Sequence, residues 1–412
     1  MSLNDTPSGE RVHIGFFGVR NAGKSSLVNA VTGQNLAVVS DTPGTTTDVV
    51  RKAMELLPLG PVVILDTPGI DDEGALGELR VQRAREALRR CDVAVLVADA
   101  TRALTQADRD LLALFEERRI PYLVARTKAD LLGEGAGAPV RGEADGDAGA
   151  DSPTDREVLV SAQAGAGIHE LKERLARLAK DRAAEKRVVA DLIQTEDVVV
   201  LVVPIDESAP KGRIILPQQL VLRDVLDAHA SALVCQLEEL ARALASLTAP
   251  PRLVITDSQV FAEVAAIVPE TVPLTSFSIL MARYKGELAP YLDGAAALSR
   301  LRDGDEVLIA EGCTHHRQCR DIGTVKMPEW IRAYAGVEPR FSFTSGGEFP
   351  DDLSRFALVV HCGGCMLNAK EMAHRVGACE AAGVPIVNYG MAIAHMNGIL
   401  ARSLAPLGLG IE

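Results

Sequence analysis

Short apolar runs alternate, from the start of the chain, with stretches whose apolar positions recur at helical spacing. The runs are RVHIGFFG (11–18), PVVILDTPG (61–69), DVAVLVADA (92–100) and IPYLVARTKAD (120–130). Helical patterns fall between them, from about Lys24, at LRVQRAREALRR (79–90) and at TQADRDLLALFEERR (105–119). That order predicts a doubly wound α/β sheet. A polar segment rich in Gly, Ala and Asp, from Gly133 to Glu157, interrupts it as a surface insertion. An amphipathic helix at 167–187 leads into a second βα alternation, roughly Arg187 to Val268, too short for a sheet of the first unit's size. A third unit opens at VPLTSFSILMARYKG, and no tandem repeat is visible. The expected organisation is α/β throughout, with domains at 1–180, 181–270 and 271–412.

Composition narrows the function classes. At 412 residues and 47% hydrophobic the chain has material for two or three cores. A formal charge of −13 argues against a nucleic-acid partner, because phosphate backbones are held mainly by Lys and Arg. No apolar stretch approaches the ~20 residues of a membrane span, and the first residues lack a signal-peptide pattern, so a cytoplasmic protein with no membrane partner is expected. Of seven cysteines, Cys313, Cys319, Cys362, Cys365 and Cys379 crowd into the last quarter, which in a reducing compartment points to metal binding. Cys91, Cys235 and Cys379 are expected to be packing residues.

GVRNAGKS, Gly18 to Ser25, fits G-x-x-x-x-G-K-[ST] between a predicted strand and a predicted helix. In that context backbone N–H groups from Gly18 through Asn21, Ala22, Gly23 and Ser26 can wrap phosphates. Lys24 reaches the outer phosphates, and the Ser25 hydroxyl can ligate Mg²⁺. DTPG, Asp66 to Gly69, ends an apolar strand, where Asp66 can hold the metal through water and the Gly69 amide can sense a γ-phosphate. Between these lies DTPGTTTD, Asp41 to Asp48, whose Thr46 is a candidate to close on Mg²⁺. TKAD, Thr127 to Asp130, stands where guanine-binding proteins carry N-K-x-D; Asp130 can accept from the base and the Lys128 stem can cover it. SAQAG, Ser161 to Gly165, resembles the last guanine-site loop, with Ser161 and Ala162 as candidates, and supports GTP over ATP.

Together these pieces resemble the translation-factor-like class of P-loop GTPases, in the branch of the tRNA-modification and ribosome-assembly GTPases. In that branch an Asn in the phosphate loop goes with activation by K⁺, and Asn21 occupies that position; its other reading is a residue that shapes the loop. Ile70 follows Gly69, so slow, switch-like turnover is expected.

EGCTHHRQC (311–319) and HCGGC (361–365) hold the soft ligands. C-x-x-C puts two thiolates within reach of one metal, and Cys313 can supply a third; His361, His315, a carboxylate or solvent is left for the fourth position. Spacing alone leaves zinc and iron–sulfur both open. The pattern C-x-H, 45 residues, then H-C-x-x-C is similar to that of the FeFe-hydrogenase maturation GTPase family, HydF. The likeness extends through DESAPKGRIILPQ, VITDSQVF, PLTSFSILMARYKG and GVPIVNYGMAIAH. The resemblance implies a GTPase domain, a dimerisation domain and a domain binding a 4Fe–4S cluster through Cys313, Cys362 and Cys365. His361 and His315 match the motif histidines, candidates for an exchangeable fourth ligand. It also implies a homodimeric scaffold for a transient diiron subcluster, made by radical-SAM maturases and passed to apo FeFe-hydrogenase. Departures are Thr127 for Asn, the extra Cys319 and the acidic insertion. The alternative is a ribosome- or tRNA-linked GTPase with a structural zinc module.

Overall fold

The computed structural model describes residues 8–34, 50–69, 84–132, 156–180, 187–205, 214–312 and 322–409. The chain divides into two compact units, 1–184 and 185–412.

In the first unit β1 (Val12–Phe17), β3 (Gly60–Asp66), β4 (Val93–Asp99), β5 (Tyr122–Thr127) and β6 (Glu157–Leu159) run parallel. β2 (Val50–Leu56) is antiparallel to β3 at the edge, giving the order β2-β3-β1-β4-β5-β6. The central strands are buried along their length, as near-unbroken aliphatic runs require when helices cover both faces. One face packs Phe16, Val95 and Val97 on Leu27, Leu171 and Leu175; the other packs Phe17, Leu65 and Leu96 on Leu88 and Phe115. Cys91 lies within the second cluster. The helix Gln106–Glu117 starts at a reciprocal cap in which the Thr105 side chain accepts from the Asp108 amide and the Asp108 carboxylate accepts from the Thr105 amide.

The second unit holds two four-stranded parallel sheets. β7 (Val198–Val202), β8 (Ser231–Cys235), β9 (Leu253–Thr256) and β10 (Leu274–Ser276) are ordered β10-β9-β7-β8. β11 (Glu306–Ala310), β12 (Arg340–Thr344), β13 (Leu358–His361) and β14 (Ile386–Asn388) are ordered β12-β11-β13-β14. The second sheet therefore runs past the 270/271 boundary read from sequence: β10 pairs with β9, and the helix Phe277–Lys285 follows it.

Both sheets share one winding, with the second strand at one edge and the third and fourth on the other side of the first. Each first strand leads to a helix with Pro near its start, Pro217 in Leu216–Asp227 and Pro328 in Met327–Ala335. Each fourth strand ends on a capping side chain: Ser276 accepts from the Ile279 amide, and Asn388 from the Met391 amide. The stretches 272–286 and 384–398 both open on Val-Pro and close on Gly. The second unit is thus a structural duplication that sequence inspection does not reveal. Ser278 and Gly390 hold the same place in the two copies and touch, Gly390 N–H donating to Ser278 Oγ at 3.2 Å, a contact between equivalent positions of the kind an approximate two-fold allows. Reciprocally, Phe277–Lys285 of the first copy reaches the loop after β13, and Tyr389–Met396 of the second packs on Ser258–Val260 after β9. One core runs through both sheets, from Val200 and Val254 to Val307, Val359, Cys379 and Met391. Among the described residues no helix is long and apolar enough to cross a membrane.

Candidate functional site

In the first unit the candidate groups gather at the carboxyl ends of β1, β3, β4 and β5, where open parallel sheets place their ligands. The phosphate loop joins β1 to the helix Lys24–Thr32. Gly23 caps that helix with φ 84°, a left-handed conformation glycine adopts without strain, and Asn21 reaches φ 60° with its side chain exposed. Ala22 is buried, Ser25 partly so and Ser26 exposed. Lys24 Nζ lies 2.6 Å from Asp66 Oδ1, so the cation and the carboxylate sit together at a helix N-terminus, a donor set suited to a phosphate and Mg²⁺. Thr67 Oγ1 donates to the Phe16 carbonyl at 2.8 Å, locking the start of DTPG to β1. A Cβ on Gly69 would lie 3.0 Å from the Arg20 amide nitrogen, so this loop closes directly on the phosphate loop. Thr46 and the rest of the Asp41–Asp48 loop lie outside the described residues.

On the base side, Thr127 is buried and its hydroxyl reaches the carbonyls of Ala22 and Ala98. Lys128 takes φ 59° and places Nζ 2.6 Å from Asp99 Oδ2. Burial alone would raise the Asp99 carboxyl; the hydrogen bond from Lys128 and those from Thr101 outweigh it and hold it down to about 2. Asp130 is exposed. The Ala129 amide donates to the Val160 carbonyl, joining this turn to the buried Ser161, whose Oγ accepts from the Ala164 amide; Ala162 beside it is half-buried.

The cysteine loop lies in the second unit at the carboxyl ends of β11 and β13, the point where the winding of the third sheet reverses. Cys362 Sγ accepts from the amides of Gly312, just after β11, at 3.0 Å and Gly364 at 3.4 Å. Gly364 sits at φ 60°, and a Cβ there would lie 2.6 Å from Met372 Sδ. Burial, then the neighbouring Cys362, pushes the Cys365 thiol up to about 11, with the Lys285 ammonium opposing them. Cys313, His315 and Cys319 lie outside the described residues, and among the described residues no group of three metal-type side chains assembles. Cys379 is core, and Cys235 is half-buried on the edge strand β8.

His361, fully buried, is tied at both ring nitrogens. Nε2 lies 3.0 Å from Arg375 Nη1 and Nδ1 lies 2.7 Å from the Cys362 carbonyl. A guanidinium can only donate, so Nε2 accepts and Nδ1–H donates to the loop. Sequence reasoning missed Arg375, its partner Glu371, and Lys285. Glu371 and Arg375 carry the i, i+4 spacing of a helical ion pair, which reads as a surface feature; Lys285 reads as a basic residue at a helix end.

Comparison with known proteins divides along the same units. A 50S ribosome-binding GTPase family model matches residues 13–128. The hydrogen maturase F dimerization domain matches 188–286 and the hydrogen maturase F tetramerization domain matches 289–406. The tRNA modification GTPase MnmE of Laribacter hongkongensis is 36% identical over 40% of this chain and 34% of its own length. GTPase Der of Kosmotoga olearia is 34% identical over 30% of this chain and 29% of its own. The chain thus spans about a third of the length of these relatives, and the likeness is to a GTPase domain. Era of Aquifex aeolicus bound to GDP and AlF4⁻ superposes with a TM-score of 0.33 at 15% identity, covering 81% of this chain and 93% of that one.

Proposed function

The chain belongs to the hydrogen maturase F family, and we propose on that footing that it is a GTP-hydrolysing scaffold that carries a 4Fe–4S cluster. Its cargo is the diiron precursor of FeFe-hydrogenase, received from radical-SAM maturases and passed to the apo-enzyme by a homodimer. The observation that carries this reading is the Cys362–Cys365 loop at the winding reversal of the third sheet, in one chain with a P-loop GTPase domain. Backbone N–H groups converging on Cys362 Sγ, and glycines at Gly363 and Gly364, are the donor chemistry and space that suit a thiolate-bound cluster. Cys313 follows Gly312 directly in sequence, which supports its role as third thiolate. The pairing of His361 with Arg375 favours His315, a carboxylate or solvent for the fourth position. A bound cluster with one replaceable ligand supplies an iron on which a second iron unit can dock.

In the GTPase domain, backbone amides from Gly18 to Ser26 hold the phosphates, and Lys24 turns from Asp66 to the β- and γ-oxygens. Ser25 and Thr46 would hold Mg²⁺, with Asp66 as a further donor. Asn21 would hold K⁺, which would supply positive charge beside the phosphates, and the Gly69 amide would bind the γ-phosphate. Lys128, Asp130, Ser161 and Ala162 select guanine. Contact of the triphosphate with the loops at Asp41–Asp48 and Asp66–Asp72 moves partner affinity, since a ligand shifts an equilibrium only through differential binding. Anaerobic reconstitution, iron and sulfide analysis with EPR, and transfer to apo-hydrogenase test the whole reading. One zinc per chain with no sulfide sinks it in favour of the ribosome- or tRNA-linked alternative.

A further inference from the structure

The cysteine loop is held by a lysine from the other copy of the duplication. Lys285 ends the helix Phe277–Lys285 and is 3% exposed. Its Nζ donates to the carbonyls of Gly364 at 2.8 Å, Cys365 at 3.2 Å and Leu367 at 2.5 Å. An ammonium has three N–H donors and no acceptor, so one side chain can serve three carbonyls of a single loop. A buried cation is costly unless its hydrogen bonds are made, and an aliphatic side chain would fill the same space without that cost. The arrangement therefore calls for a use of the charge.

We propose that Lys285 is a positioning residue for the iron–sulfur site: it holds the Cys362–Cys365 loop in the shape that presents both thiolates to one cluster, and its charge raises the cluster's reduction potential. This rests on the reading of the loop as a cluster site. With its carbonyls drawn toward Lys285, the loop leaves the Gly364 amide directed at Cys362 Sγ, together with the Gly312 amide from the neighbouring strand. Thiolate ligation brings negative charge onto a half-buried loop, and reduction adds more. A fixed ammonium next to the loop stabilises the reduced form, since cluster potentials follow net charge and hydrogen bonding around the sulfurs. Lys285 falls in the segment matched by the dimerization domain and the cysteines in that matched by the tetramerization domain, so this side chain is one of the ties between the two.

The test compares the full-length wild-type chain with Lys285→Met and Lys285→Arg after anaerobic reconstitution. Iron loss to a chelator and the EPR-monitored midpoint potential are measured. Losing a partner that orients a ligand typically weakens metal binding by about 10–100-fold. Lys285→Met is expected to lose iron to the chelator about 10-fold faster and to shift the midpoint to more negative values. Lys285→Arg keeps the charge but not the three-carbonyl fit, and is expected to lose iron faster while its midpoint stays near wild type. If Lys285→Met does not fold, Lys285→Gln takes its place, with the same expected shift. A neutral variant that keeps both the wild-type midpoint and the wild-type chelator rate overturns the proposal. A wild-type chain that takes up no iron and sulfide overturns the cluster reading itself, a distinct result.

Discussion

Thr127 Oγ1 donates to the backbone carbonyl of Ala22, tying the carboxyl end of β5 to the phosphate loop across the parallel sheet. The loops proposed to hold the base and the phosphates are thereby joined by one hydrogen bond, made by a hydroxyl at the position where Thr replaces Asn. Thr127→Val keeps the shape and removes the donor, leaving the Ala22 carbonyl without this buried partner. Such a loss costs about 1–2 kcal/mol. Affinity for GDP and GTP is expected to fall by about 10-fold in a fluorescent-nucleotide titration. Unchanged affinity would mean that the tie does not organise the site.

Lys128 and Asp99 give the same region a pH dependence. The Asp99 carboxyl lies below its ordinary 3.8 in the folded chain, at about 2. A depressed carboxyl contributes stability that is present above the unfolded value and is lost as pH falls through the folded one. The first unit is therefore expected to lose this contribution between about pH 4 and pH 2. Asp99→Asn removes it, so the variant is less stable at neutral pH and shows a shallower decline across that window. Chemical denaturation followed at pH 7, 4 and 2.5 checks this, and parallel curves for the two proteins would refute it.

Lys24 and Asp66 lie in the first unit, and the cysteine loop in the second. Lys24→Ala removes the charge proposed to neutralise the outer phosphates and is expected to cut GTP turnover by at least about 100-fold, the scale of losing a preorganised electrostatic group. Iron and sulfide content after reconstitution should equal that of wild type. Phosphate-release kinetics and elemental analysis on one preparation decide the matter; loss of both activities together would contradict separable modules.

The first sheet and its phosphate loop were readable because their signals are local: the apolar strand Val12–Phe17, a Gly-containing turn and the helix Lys24–Thr32 follow one another directly along the chain. The strand Tyr122–Thr127 that leads into Lys128 and Asp130 was readable for the same reason. The duplication in the second unit was not readable, because the copies share little beyond Val272-Pro273 and Val384-Pro385, the Pro-started helices and the polar caps Ser276 and Asn388. Its evidence is strand order, a relation among residues far apart in sequence. Lys285 and Arg375 escaped for a related reason: periodicity gives the helix each sits on, but it does not show that three loop carbonyls, or a buried histidine, converge on the charge.

Arg375 is the largest fully buried side chain of the described residues. Its guanidinium donates to Glu371 Oε1 at 3.1 Å and to the Gly346 carbonyl at 2.8 Å, besides His361 Nε2, and its centre lies 5.0 Å from the Phe349 ring centroid. Breaking a buried ion pair by removing one partner costs about 3–5 kcal/mol, because the other charge stays buried; replacing both partners together is far milder. Arg375→Met should therefore lower the urea midpoint of the second unit by an amount corresponding to about 3–5 kcal/mol. Adding Glu371→Gln should recover a clear part of that loss, since the buried charge that Arg375 offset is then gone. A double variant no more stable than Arg375→Met alone would show that the cost lies in the contacts to His361, Gly346 and Phe349 rather than in the charge pair.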